Sequence, residues 1–391
     1  MNRTSGTRRM AIYLVVFIAL AAALAYGKTR AAPDLTPSIE KIFPAATTVE
    51  PTRGIYSVFD DAGELLGWAA SAKATGYGGP LLLVVGIDRK GEVAGIEVVE
   101  HRETPIFFRM VRSDAYFEDV SGSDFQEIEY DYESVVGVTG ATRTSDAIVA
   151  GLRGAVAEVA GERFDVRLPA PPRSFEFGLL EIVVLALFVA GIAANRAGGS
   201  VRRWVRWACQ LTGLLVIGFW AASPISLAKI TSLISGYFPD LYSNLAFYLL
   251  IVGFAITTLL YRRNIYCLYI CPFGAAQRCV GVIGGMNMKL SAHVGRFLET
   301  ARNVVVFAAI FAAFITLQPA LASYEPFAAL FALTGSTLQW LLLFVVLTLS
   351  LVVRTPWCSF LCPMRSIEIV LRNLGAWGRG VLPGRRQRAH E

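Results

Sequence analysis

The sequence predicts an α-helical polytopic membrane protein of about six transmembrane helices, with one exported α+β domain between the first and second spans. Three observations lead to that class. Hydrophobic residues make up 54% of the 391-residue chain, too many for an ordinary soluble protein. Six apolar runs, at roughly 10–27, 177–194, 207–228, 243–261, 303–322 and 337–353, are long enough or nearly so to cross a hydrocarbon core of about 30 Å. Basic residues then fall on alternate connections. Lys and Arg number three before the first run, four between the second and third, six between the fourth and fifth, and seven after the sixth, whereas the opposite short connections carry only Lys229. By the positive-inside rule both termini are cytoplasmic and residues 28–176 are outside.

The expected layout is therefore residues 1–27 as an anchor or signal peptide, 28–176 as the exported domain, and 177–391 as a five-helix membrane domain. The first run reads either way: Arg8-Arg9 precedes it and small residues at Ala23–Ala25 could mark a cleavage site. The net charge of +6 hides an uneven distribution. Residues 28–176 hold 24 of the 30 acidic residues and 15 of the 36 basic ones. The basic excess sits on cytoplasmic connections, where it meets anionic membrane lipid, and nucleic-acid binding is a poor explanation for it. The acidic outer domain suits steering of a basic exported partner.

Within that domain, Gly54–Phe59, Glu64–Ala72, Leu81–Asp88 and Glu92–Val99 read as strands, with turns at 60–63 and 89–91. Ile148, Leu152, Ala155, Val156 and Val159 recur at helical spacing after a cap at Ser145 or Asp146. The linker at Pro169–Pro172 leads into the second span. The glycines of Thr75-Gly-Tyr77-Gly78-Gly79-Pro80 would let backbone approach a flat ligand, or simply turn the chain between strands. Thr139-Gly140-Ala141-Thr142 precedes the helix, where unpaired N–H groups and the helix dipole make either a plain cap or a phosphate site.

The membrane half carries one pattern twice. Arg263-Asn-Ile-Tyr-Cys267-Leu-Tyr-Ile-Cys271-Pro272 and Arg354-Thr-Pro-Trp-Cys358-Ser-Phe-Leu-Cys362-Pro363 stand 91 residues apart, each following an apolar run. Even-numbered spans end on the same side, so the two C-x3-C-P units can converge at the cytoplasmic edge. Four thiolates are what one iron–sulfur cluster needs, and a structural zinc site has the same ligand count. The reducing side favours metal ligation over disulfides. Cys209 and Cys279 read as packing or incidental thiols. Glu181, Gln210, Gln318 and Gln339 sit near span ends, and Pro224 and Pro319 read as helix termini. None of the three histidines, His101, His293 and His390, lies in a span, so a pair of intramembrane haem ligands is excluded.

Thr139-Gly140-Ala141-Thr142 resembles the (Ser/Thr)-Gly-Ala-Thr motif of exported FMN-binding domains, and 76–80 and His101-Arg-Glu103-Thr104-Pro105 match that family's order and spacing. The resemblance implies FMN joined as a phosphoester to Thr142 by a flavin transferase. Tyr77, Gly78, Gly79, Glu103, Thr104, Thr139, Gly140 and Ala141 would line the flavin. Val136 stands where that motif usually has Asp. An FMN domain together with paired C-x3-C-P units is similar to the accessory membrane flavoproteins of nitrous oxide and nitrite respiration (the NosR/NirI type). It is similar also to the shorter flavoprotein that accompanies reductive dehalogenases. The short layout is the better match, because no C-terminal ferredoxin module is present in this sequence.

These resemblances imply an electron-transfer component rather than a stand-alone catalyst. It would link one [4Fe-4S] cluster on Cys267, Cys271, Cys358 and Cys362, or a quinone, to covalent FMN and then to an exported reductase or its maturation machinery. A redox-sensing regulatory or assembly factor and a zinc-stabilised membrane scaffold are the alternatives.

Overall fold

The computed structural model describes residues 3–29, 33–75, 80–101, 120–128, 142–168, 177–239, 241–242, 244–261, 263–285, 288 and 291–378. Five antiparallel strands, β1 (Thr48–Thr52), β2 (Ile55–Phe59), β3 (Leu65–Thr75), β4 (Pro80–Asp88) and β5 (Val93–His101), form a meander in which each strand pairs with the next. The four expected strands are present with the expected turns. β1 is additional to them; its five residues include Pro51 and have no buried face, so no alternation marks it. The long helix begins at Thr142 and runs to Arg163, three residues ahead of the expected cap at Ser145.

Both faces of the sheet are covered. The helix at Thr36–Ile42 lies on one face, where Ile39 and Phe43 meet Val58, Ala69, Leu82 and Val84. Thr142–Arg163 lies on the other, where Leu152, Ala155 and Val156 meet Ile55, Ala70, Val85 and Ile87. This is why β4 reads Leu-Leu-Leu-Val-Val without alternation: a strand buried on both sides needs apolar residues at every position.

Along the chain the helices are α1 (Arg3–Lys28), α2 (Thr36–Ile42), α3 (Thr142–Arg163), α4 (Leu179–Arg196) and α5 (Gly199–Thr212), the last continuing as a π-helix over Gly213–Trp220. There follow α6 (Leu227–Ser235), α7 (Leu245–Tyr261), α8 (Pro272–Gly284), α9 (Ala292–Thr316), α10 (Phe327–Phe331), α11 (Thr337–Ser350) and α12 (Pro363–Gly378). Three helices are long and apolar enough to cross a membrane, at Ala11–Lys28, Leu179–Arg196 and Ala292–Thr316, while Leu245–Tyr261 and Thr337–Ser350 are shorter apolar helices. Large apolar side chains such as Phe17, Val189, Leu215 and Phe344 are exposed around the bundle, as expected of a surface that meets lipid.

α1 belongs to this bundle. It runs against α9, and Ala23 is buried. Gly27 approaches the Phe314 carbonyl oxygen so closely that a Cβ would collide with it. At the other end, Asn373 donates to the Tyr13 hydroxyl at 3.2 Å.

Two connections assigned to the outer surface by charge alone fold inward. Tyr266 accepts from the Ile225 backbone N–H at 3.0 Å, and Phe327 lies 5.1 Å from Phe273, ring centre to ring centre. Lys229, counted as the one basic residue of these short connections, is only 6% exposed. The remaining span-end polar residues have structural tasks. Glu181 accepts from the Gly178 N–H at the start of α4, and Gln339 closes a capping box with Ser336 at the start of α11. Pro319 opens a short 3-10 turn.

Candidate metal centre

Each cysteine unit is built the same way. An apolar helix ends, five residues wind as a π-turn (Tyr266–Ile270 or Trp357–Leu361), and a new helix starts at the proline. The turns close with matched bonds, Cys271 N to Tyr266 O at 2.7 Å and Cys362 N to Trp357 O at 2.8 Å. Cys271 and Cys362 leave helical geometry, with ψ of 116° and 122°, and stand at the N-caps of α8 and α12. Proline suits the position that follows, because the first helical residue has no partner for an N–H. The Phe273 and Gly274 N–H groups face the Cys271 sulfur, and the Met364 N–H faces that of Cys362. Two helix N-termini are thus aimed at two thiols, an arrangement that favours the thiolate by about 0.3–2 kcal/mol each.

The four sulfurs lie within electrostatic reach of one another, and the two units meet at Gly274, where a Cβ would sit 3.6 Å from Cys358 Sγ and 3.8 Å from Cys271 Cβ. Cys362 is buried, the other three are half-buried, and none is in a disulfide. Asn264 donates to Cys267 Sγ at 3.0 Å and accepts from the Cys267 N–H at 2.9 Å. Gln277 donates to Cys358 Sγ at 3.2 Å and accepts from the Trp357 N–H at 3.0 Å. The Leu268 carbonyl takes Gln210 at 2.8 Å and Arg278 at 3.2 Å, so the π-turn leaves it satisfied. Phe273, Trp357, Phe327 and Tyr324 wall the site with aromatic rings.

The units pack against the apolar part of a neighbouring helix. Gly213 admits the Ile270 carbonyl, and Gly218 faces Pro272 and Phe331. These glycines lie about 20 Å or more along the helix from Gly199, at ~1.5 Å per residue, in the apolar part of that helix. α8 then returns, so that Gly284 meets Leu351 just beyond the end of α11. The reason is local. A proline after each second cysteine breaks the helix and sends the chain back, which makes each unit re-entrant.

The residues fit an iron–sulfur group. The donor set is four thiols, each with an N–H or neighbouring amide directed at its sulfur or turn. A buried thiol in apolar surroundings keeps its proton unless a cation offsets the charge. Among the described residues, no group of three or more His, Cys, Asp or Glu closes to metal-ligand spacing, and four thiols suit an iron–sulfur cluster or a zinc ion by ligand count.

The flavin-site expectations at Tyr77, Gly78, Gly79, Glu103, Thr104, Thr139, Gly140 and Ala141 lie outside the described residues. Thr142 is the first residue of α3. Sequence reasoning did not single out Asn264, Gln277 or Gly274. Gly274 and Gln277 follow Cys271 at a spacing of three, the repeat of one helix face once Cys271 is taken as the cap.

The 4Fe-4S binding domain family matches residues 243–291 and 333–377, the two stretches that hold the four cysteines. The FMN-binding domain family matches residues 76–157. The two matches are thus to an FMN-binding and a 4Fe-4S binding domain family, on a chain with membrane-type helices. One component of the proton-translocating ferredoxin:NAD(+) oxidoreductase complex from Clostridium ljungdahlii is 28% identical over 99 residues, covering 24% of this chain and 54% of that component. The chain thus spans about half the length of that curated relative.

Proposed function

We propose that this protein carries electrons across a bacterial inner membrane, from a site on Cys267, Cys271, Cys358 and Cys362 to FMN on Thr142, and on to an exported acceptor. The observation that carries this reading is the convergence of both cysteine units on Gly274, with two helix N-termini and two side-chain amides directed at them. A bound [4Fe-4S] cluster would supply one-electron transfer, and a flavin relays electrons singly or in pairs. Cys271 and Cys362 would hold it at the caps of α8 and α12, and Cys267 and Cys358 from the first turns of the π segments. Asn264 and Gln277 hold hydrogen bonds on sulfur, Phe273 and Trp357 exclude water, and Arg278 balances thiolate charge.

The packing of α1 against α9 supports a retained anchor, with both termini cytoplasmic. Of the types resembled, the short NosR/NirI-like and dehalogenase-associated layout remains the one proposed. The partners would be membrane lipid, an exported redox protein and a flavin transferase, with a quinone as an alternative electron donor.

Purified protein should contain four irons per chain and give a flavin-fluorescent band in a denaturing gel. Thr142→Ala should abolish the band and leave the iron in place. A preparation without iron and without covalent flavin would refute the reading.

A further inference from the structure

The two inward-folded connections bring together the single acid and the single base that they carry among their described residues. Lys229 on α6 is satisfied: its ammonium donates to Ser223 Oγ and to the Pro224 carbonyl at 3.1 Å each, and it lies over the Phe247 ring. Glu325, just before α10, is not. Oε1 accepts from the Leu227 N–H at 2.6 Å, while Oε2 is buried with no hydrogen-bond partner, and the residue is 2% exposed. The neighbouring Tyr324 hydroxyl and the Trp357 indole N–H are also buried and unpaired. Tyr324 lies 6.1 Å from Trp357, ring centre to ring centre and tilted by 55°, and Trp357 adjoins Cys358.

Three buried polar atoms without a hydrogen-bond partner are costly, and a proton on Glu325 Oε2 removes the charge from the costliest of them. An ionisable group inside a membrane protein is a functional candidate by default. The groups that face Glu325 are Lys229 from α6, Tyr324 from its own segment, and Gln339 from α11, whose amide donates to the Glu325 carbonyl. Beyond Tyr324 lie Arg302 of α9 and Cys362. Lys229 offsets the charge of one carboxylate, while Arg278 and Arg302 lie on the cysteine side, so Glu325 itself faces one cation.

We propose that Glu325 is a proton acceptor coupled to the cysteine site, resting on the iron–sulfur reading above. When a one-electron reductant adds an electron there, the Glu325 carboxylate takes up one proton supplied by hydronium or buffer acid of the bulk solvent. The O–H bond forms at Oε2, and the proton leaves again when the electron does. The interior thereby gains no net charge.

Potentiometric titration of the full-length, iron-loaded protein, followed by electron paramagnetic resonance between pH 6 and 9, tests this. The midpoint should fall as pH rises over part of that range, since fewer protons are available to accompany the electron. In Glu325→Gln, which keeps the acceptor for Leu227, the pH dependence should vanish with iron content and resonance unchanged. In the unaltered protein, the infrared difference spectrum on reduction should gain a carboxylic C=O band that moves on labelling with 13C-glutamate. A pH-independent midpoint, the same slope in Glu325→Gln, or no labelled band overturns the proposal. Protein without iron overturns the parent reading and this one together.

Discussion

The two cysteine units share a fold, a proline and a matched closing bond, yet they differ in where their side-chain amide comes from. In the first, Asn264 lies three residues before Cys267 and serves its own turn. In the second, the equivalent position is Thr355, whose φ is +45°, and the amide is Gln277, reaching across from α8. At the position of α12 equivalent to Gln277 stands Glu368, which pairs with Arg365 and Arg372 instead. Duplication of the pattern therefore explains the geometry. The hydrogen bonds are asymmetric, and the second unit depends on the first for its shape.

That dependence can be broken in graded steps. Cys271→Ser and Cys362→Ser should each lose essentially all cluster iron, measured by iron and sulfide analysis; retention in either variant would mean that the units are not equivalent ligands. Gly213→Ala comes next. Its methyl group would meet the Ile270 carbonyl, which is backbone and cannot swing away, so iron occupancy and thermal stability should both drop. Gln277→Leu leaves the buried Trp357 N–H unpaired, at a cost of about 1–3 kcal/mol in a denaturation assay. Asn264→Leu should cost less, because it disturbs one unit only. Adding Thr355→Asn to Gln277→Leu should recover part of the loss: asparagine tolerates a left-handed backbone better than a β-branched residue, and it would restore a local amide. The smallest effect belongs to Gly274→Ala. The added methyl group makes only ordinary contacts, so stability should change by no more than ~1 kcal/mol, the helix-propensity difference.

Much of this was legible in the sequence. The strands Ile55–Phe59 and Pro80–Asp88 followed from alternation, apolar runs and turn residues, and the paired cysteines from their repeated flanks. What was not legible depends on long-range contact between irregular segments. Charge counting treats Lys229 as a loop residue, and nothing local says that it will be drawn against Phe247. The packing of the cysteine units was hidden for a similar reason. Cys-Pro announces a helix break, but the direction the chain takes afterwards is set by Gly213 and Gly218 on another helix. Gln277 looks like an ordinary polar residue until the second unit is placed beside it.

The borrowed amide has a consequence for how the protein is made. At ~5–20 residues per second, the ribosome takes roughly 5–20 s to add the 91 residues that separate the two units. Throughout that interval the first pair of thiols and the Gln277 amide stand ready with nothing to receive. Iron delivered then would find half a site. The centre can close only after Cys362 has been threaded, so its completion reports that α7 through α12 have all taken their places.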